Sequence, residues 1–296
     1  MSVAQKITPH LWYDKEAKEA AELYTSTFKN SKIKSITTIH DTPSGDADFL
    51  TIELSGQEFM LISAGPYFKF NPSISFLVAC ETKEEAEQIW KKLSEGGIEL
   101  MKFSEYPFSE KYGWTEDKFG LSWQIMFRSN LNVNQRITPT LMFTDNVRGK
   151  SDEAIDFYVS IFHNANVGDI LHHTKGEKIN KAGTIKHTTF TLENMEFAAM
   201  DTARIRGVAF NEAVSFVVHC DTQEEIDYYW DKLTADPAAE QCGWLKDKYG
   251  LSWQIVPTIM DVMMGSGDKK KTARVTKAFL KMKKFDIAEL KKAYQG

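Results

Sequence analysis

Two kinds of residue in this chain could do chemistry, and they sit at spacings that repeat. His10 lies in "ITPHLWY", whose alternation puts Thr8, His10 and Trp12 on one strand face and Ile7, Pro9, Leu11 and Tyr13 on the other. Glu53, in "LTIEL", falls on the same side by parity. An imidazole beside a carboxylate can move a proton near neutral pH, so His10 and Glu53 are the acid/base candidates. Gln124 and Gln254 close two near copies of one phrase, "YGWTEDKFGLSWQIMF" at 112–127 and "CGWLKDKYGLSWQIVP" at 242–257. An amide donates and accepts hydrogen bonds, but it takes no proton near pH 7 and binds divalent cations more weakly than a carboxylate. Its chemistry is positioning.

With Trp123 and Ile125 turned toward a helix layer, Ser122, Gln124 and Met126 face the other side, where Ser75 joins them. A first cavity is therefore expected from His10, Trp12, Glu53, Ser75 and Gln124, with Trp114 as an aromatic wall. Its counterpart would hold Thr140, Met142, Thr191, Ser215 and Gln254, with Trp244 as the wall. Because the partner of His10 is Thr140, any proton transfer belongs to the first copy. The competing structural reading is ordinary: a strand-borne amide commonly satisfies buried backbone, and a lone histidine is more often a core residue than a base. His172, His173, His187 and Asp201 lie on neighbouring strands, but consecutive histidines point to opposite faces.

The elements that must position these groups recur. "ITPHLWYDKEAKEAAELYTSTF" at 7–28 answers "ITPTLMFTDNVRGKSDEAIDFYVSIF" at 137–162, and ten of thirteen residues of Gly113–Ile125 are identical in Gly243–Ile255. A period of about 130 residues is domain duplication rather than a solenoid. The expected domains are 1–132 and 133–260, followed by a basic helical tail at 261–296. Within each copy, helical spacing (Ala20, Tyr24, Phe28; then Ala86, Ile89, Trp90, Leu93) alternates with runs of strand period. The order is βαβββ followed by βαβββ, so the class is α+β with four modules.

That module order, opened by "ITPxL" and closed by "GWxxDKxGLSWQI", resembles the vicinal oxygen chelate superfamily of glyoxalases, bleomycin-resistance proteins and dioxygenases. More narrowly it is similar to the PhnB-like branch labelled 3-demethylubiquinone-9 3-methyltransferase. The resemblance implies two tandem domains, each a curved mixed eight-stranded sheet with helices on the convex face and a cavity in the concavity. It also implies that metal-dependent relatives would carry a glutamate where Gln124 and Gln254 stand. No His/Glu quartet is complete in either copy, so no metal site and no cofactor are expected; a divalent cation would be held weakly at most. The resemblance leaves three functions in contention: binding of a small organic ligand in the concave sheet, metal-dependent glyoxalase-type lyase or isomerase chemistry, and drug or toxin sequestration. Since the scaffold hosts many chemistries, the site must choose.

Composition narrows the partners. With 42% hydrophobic and 26% charged residues the chain is that of a globular protein. From Asp268 onward ten Lys or Arg face three acidic residues, a balance of +7, which leaves −12 of the overall −5 on the preceding body. An acidic body is a poor nucleic-acid partner. No apolar run long enough for a membrane span exists, and the opening residues lack a secretory h-region, so the cytoplasm is the expected compartment. The expected partners are a small-molecule ligand and an intramolecular pseudo-dimer or homodimer. Cys80, Cys220 and Cys242 show no metal or disulfide spacing. "MGSGDKK" lacks the strand and spacing of a phosphate loop, and no glycine-rich turn for S-adenosylmethionine is present.

Overall fold

The computed structural model describes residues 5–42, 45–130, 133–177 and 179–296. In chain order its first repeat holds β1 (Ile7–Tyr13), α1 (Ala17–Thr27), β2 (Lys32–Thr42), β3 (Gly45–Leu54), β4 (Gln57–Ser63), β5 (Ile74–Cys80), α2 (Lys83–Ser94), β6 (Ile98–Tyr106), β7 (Ser109–Glu116) and β8 (Ser122–Phe127). The second holds β9 (Ile137–Phe143), α3 (Ser151–Ile161), β10 (Asn166–His172), β11 (Ile185–Leu192), β12 (Met195–Asp201), β13 (Val214–Cys220), α4 (Gln223–Leu233), β14 (Trp244–Lys246) and β15 (Ser252–Pro257). The tail forms α5 (Ile259–Met264), α6 (Lys269–Phe279) and α7 (Ile287–Gln295).

The helices form where the sequence supplies one apolar stripe and a capped start. In α1 the stripe is Ala17, Ala20, Ala21 and Tyr24, all buried. The hydroxyls of Thr82 and Thr222 accept the Glu85 and Glu225 backbone N–H at 3.1 and 3.2 Å, and those glutamates in turn accept from Glu81 and Asp221. Each such cap stabilises its helix by roughly 1 kcal/mol.

The modules do not assemble in chain order. One compact unit comprises the chain up to Thr25, Asn30–Lys69 and Asn211–Gly296; the other comprises Ser26–Lys29 and Phe70–Phe210. The first unit carries a seven-stranded sheet, β14-β15-β13-β1-β4-β3-β2, and the second an eight-stranded sheet, β10-β11-β12-β9-β5-β8-β7-β6. The opening module of the chain is thus joined to the closing one, and the two middle modules to each other. β1 pairs antiparallel with β13, and β9 pairs antiparallel with β5. Modules that are copies offer the same alternation at the same edge, so strand patterning fits either pairing equally well.

The first unit has one strand fewer than the expected eight. From Trp90 to Trp114 is 24 positions, and from Trp230 to Trp244 only 14, so the residues that would form a counterpart of β6 are missing. The tail stands in for it. Cys242 and Gly243 donate their backbone N–H to Met282 and Lys283 at 2.8 and 2.7 Å. Phe285 packs on the bare α-carbon of Gly243 as Phe103 of β6 does on Gly113. Lys284 reaches Asp227 of α4 at 2.8 Å.

Candidate functional site

The phrase that opens the question of function is first a structural device. In both copies an aspartate, Asp117 or Asp247, folds the turn ahead of the strand. One carboxylate oxygen accepts two backbone N–H groups (Phe119 and Leu121; Tyr249 and Leu251), and the other accepts the indole N–H of Trp123 or Trp253 at 2.9 Å. Gly120 and Gly250 supply the left-handed backbone that the turn requires, at φ +88° and +84°. Trp123 and Trp253 are fully buried. The repetition therefore reflects a core requirement, while the glutamine of each phrase, with its serine and its first tryptophan, turns to the opposite face.

On that face of the first unit, strand register aligns Ser252, Ser215 and His10 in one row across β15, β13 and β1. The Gln254 amide Nε2 donates to Ser215 Oγ at 3.0 Å. Ser215 Oγ lies 3.5 Å from His10 Nδ1, a contact in which either group can donate. His10 Nε2 has no hydrogen-bond partner among the described residues. The ring is walled by Phe49, stacked at 6.1 Å between centroids, and by Trp244, edge-on at 5.4 Å. Trp12 meets Trp244 at 6.0 Å and donates its indole N–H to the Gly65 carbonyl at 2.8 Å. His10 is 1% exposed, and burial drives its pKa down to about 3. It is a neutral imidazole at pH 7, a hydrogen-bond donor rather than a proton shuttle.

Glu53 does not reach it. The carboxylate lies 3.6 Å from Lys32 Nζ, its strand position opposes Glu58, and no carboxylate contributes to the electrostatics of His10. The expected first cavity is divided: His10, Trp12 and Glu53 belong to the first unit, whereas Ser75, Trp114 and Gln124 belong to the second with Thr140 and Met142. The partners of His10 are instead Ser215, Trp244 and Gln254 from the far end of the chain.

The equivalent face of the second unit is closed by its own side chains. Gln124 Nε2 donates to Ser75 Oγ at 2.7 Å, and Tyr112 Oη donates to Gln124 Oε1 at 2.8 Å. The Trp114 indole N–H donates to Ser122 Oγ at 2.7 Å. Tyr112, Trp114 and Met142 are packed against Leu77, Met126 and Met200. Burial raises the Tyr112 pKa, keeping its hydroxyl protonated as a donor. Thr140 takes the place of His10, and its hydroxyl turns back to the Thr138 carbonyl.

Position-by-position pairing of the copies shows what closes one face and not the other. Tyr112 corresponds to Cys242, so the Gln254 carbonyl lacks the phenol that holds Gln124. Ser122 corresponds to Ser252, whose hydroxyl is buried without a hydrogen-bond partner among the described residues. Phe49 and Ser252 were not marked by sequence; the signal lay in the Tyr/Cys difference between otherwise matching phrases.

Elsewhere, His173 holds Glu177 at 2.7 Å and pulls that carboxylate down to about 2, while His172 and His187 are exposed, so the four groups do not gather. Asp201 accepts Gly149 and Ile185 backbone N–H and the Ser151 hydroxyl, as a strut. A cavity of about 410 Å³ in the second unit is lined by Arg148, Asn180, Lys181 and Asp201, and by none of the residues of the His10 or Gln124 faces. Among the described residues, no group of three His, Cys, Asp or Glu side chains could hold a metal. Burial raises the thiols of Cys80 and Cys220 to about 12. No helix of the described residues is long and apolar enough to cross a membrane.

A family model described as 3-demethylubiquinone-9 3-methyltransferase matches residues 5–126 and again 135–256. A PhnB protein from Bacillus cereus, described with the same methyltransferase label, is 40% identical over 42% of this chain and 100% of its own, with a TM-score of 0.40. A glyoxalase I variant from Zea mays is 13% identical and covers 85% of this chain and 94% of its own at TM-score 0.51. A Bacillus subtilis protein described as a dioxygenase is 13% identical over 84% of each chain at 0.52. The last two show a shared fold. No curated protein matches the chain.

Proposed function

On the premise that the chain belongs to the family described as 3-demethylubiquinone-9 3-methyltransferase, a branch of the vicinal oxygen chelate superfamily, we propose that it binds a small organic ligand against His10 in the first unit. The carrying observation is the contrast between the faces: Tyr112 and Trp114 satisfy every polar group opposite them, whereas His10 Nε2 and Ser252 Oγ are left over among aromatic walls. A pocket with few placed polar groups and aromatic sides is the usual form of a small-molecule site. His10 donates to the ligand, Ser215 and Gln254 support it from the Nδ1 side, and Trp12, Phe49 and Trp244 shape the sides. The second unit is the structural partner.

The donors at His10 do not fit a divalent cation. Its neighbours are a hydroxyl, an amide and aromatic rings, with no second imidazole, thiolate or carboxylate. A tightly held metal is therefore no part of this reading. Binding without turnover, as in drug sequestration, is favoured over catalysis by those aromatic walls and by a histidine too desolvated to trade protons. The compartment that goes with this reading is the cytoplasm.

The test has two parts. Nickel, zinc, iron and manganese are quantified per chain after dialysis of the untagged protein; near-stoichiometric metal would put the glyoxalase-type enzyme first. Small aromatic compounds are then screened by ligand-observed NMR. Binding that is lost in His10→Phe and kept in Thr140→Ala is expected; the reverse pattern would sink the assignment.

A further inference from the structure

Trp244 and Trp114 occupy equivalent positions, yet only one of them is anchored. The Trp114 indole N–H meets Ser122 Oγ at 2.7 Å. The Trp244 indole makes no hydrogen bond among the described residues; it leans edge-on to His10 at 5.4 Å and to Trp12 at 6.0 Å. The hydroxyl it would use, Ser252 Oγ, is buried and without a partner among the described residues. The second unit carries Thr140 where the first carries the ring of His10, and Trp244 leans on that ring instead of on its serine.

We infer that Trp244 is a displaceable lid: its indole fills the space in front of His10, and a flat, uncharged ring takes that space when the indole moves onto the Ser252 hydroxyl. The hydrogen bond gained by the indole offsets part of the cost of opening. His10 Nε2–H, uncovered by the move, donates to an acceptor on the incoming ring. The ligand is uncharged because His10, Trp12, Phe49, Ser215, Trp244, Ser252 and Gln254 carry no charge at pH 7 and Lys246, opposite Ser252 on the face of Trp244, is already paired with Glu212 at 2.8 Å; a buried ion without a counter-charge is strongly disfavoured. This inference rests on the binding reading for its purpose, and its first test needs no ligand.

In ¹⁵N-tryptophan-labelled full chain, the Trp244 indole N–H signal is assigned by its loss in Trp244→Phe. The wild-type signal is expected to exchange with water about tenfold faster than that of Trp114, as one buried hydrogen bond implies. His10→Thr installs the residue of the other repeat; it should shift the Trp244 signal downfield and slow its exchange to the Trp114 level. The doubled variant His10→Thr, Ser252→Ala should restore fast exchange. A Trp244 signal unmoved by His10→Thr, or equally slow in the doubled variant, overturns the lid. For the ligand class, Trp244→Ala is titrated with benzamide and benzoate. Benzamide should bind at least tenfold tighter; equal binding, a preference for benzoate, or no binding of either overturns that part. A failed screen of the wild-type protein beside a working His10→Thr shift would sink the binding function and leave the lid.

Discussion

Removing the same hydroxyl from the two copies should have opposite effects on stability. Ser122 Oγ accepts the Trp114 indole N–H at 2.7 Å in a buried setting. Ser122→Ala leaves that N–H unsatisfied, which costs about 1–3 kcal/mol. Ser252, 1% exposed, has no partner to lose, and in the native state its hydroxyl already bears a desolvation cost of about 1–3 kcal/mol. Replacing it by a methyl group relieves that cost, so Ser252→Ala should be neutral or stabilising by up to about 2 kcal/mol. The two alanine variants should therefore differ by about 1–5 kcal/mol although the substitutions and strand positions are equivalent. The assay is urea unfolding, followed by hydrogen exchange at the buried indoles of Trp123 and Trp253 so that each unit reports its own transition. At a typical slope of about 2 kcal/mol per molar urea, the midpoints should separate by about 0.5 M or more. Equal destabilisation by both variants would mean that Ser252 has a partner, and the account of an unanchored Trp244 would fail.

Three further outcomes follow from the same geometry. The pKa of His10 is lowered by burial to about 3 against an ordinary value of 6.5, so the unfolded chain takes up a proton that the folded chain refuses. Its contribution is present in full above pH 6.5 and is lost at up to about 1.4 kcal/mol per pH unit as pH falls from 6.5 toward 3; His10→Phe should flatten this slope in urea midpoints measured between pH 7.5 and 5. Phe285→Ala, which empties the place over Gly243 that β6 would have covered, should destabilise the first unit by about 3–5 kcal/mol and leave exchange at Trp123 unchanged. In double-mutant cycles, His10→Phe with Ser215→Ala should show a coupling of about 0.5 kcal/mol or more, and His10→Phe with Ser75→Ala should be additive, as judged by urea midpoints.

Strand alternation and helical stripes made the module order legible, down to the residues that share a face. Thr8, His10 and Trp12 do lie together, and Gln124 does share a side with Ser75. Partner choice was not legible, because a duplicated chain presents two edges with one pattern. That ambiguity moved Ser75 and Gln124 away from His10 and brought Ser215, Trp244 and Gln254 to it. The missing strand was readable as a spacing difference between the tryptophans, but its replacement by residues of the tail was not: backbone hydrogen bonds from Cys242 and Gly243 carry no side-chain signature.

The exchange of modules also changes what divergence between the copies means. With sites built within each repeat, His10 would have evolved beside Gln124 and Tyr112. Built across repeats, it stands beside the copy of the phrase that has cysteine where the other has tyrosine. Cys242 offers Gln254 no phenol such as Gln124 receives from Tyr112; its backbone is left-handed at φ +52° and its Sγ lies 3.6 Å from the Phe279 carbonyl of α6. The histidine and the absence of that phenol therefore bear on one face, although 232 positions separate them in the chain. Each difference bears on something that closes the second unit: Cys242 offers the amide no phenol, and His10 offers the indole a ring to lean on in place of its serine. The partly unsatisfied face of the first unit goes with those two differences, whereas the second unit has both closures.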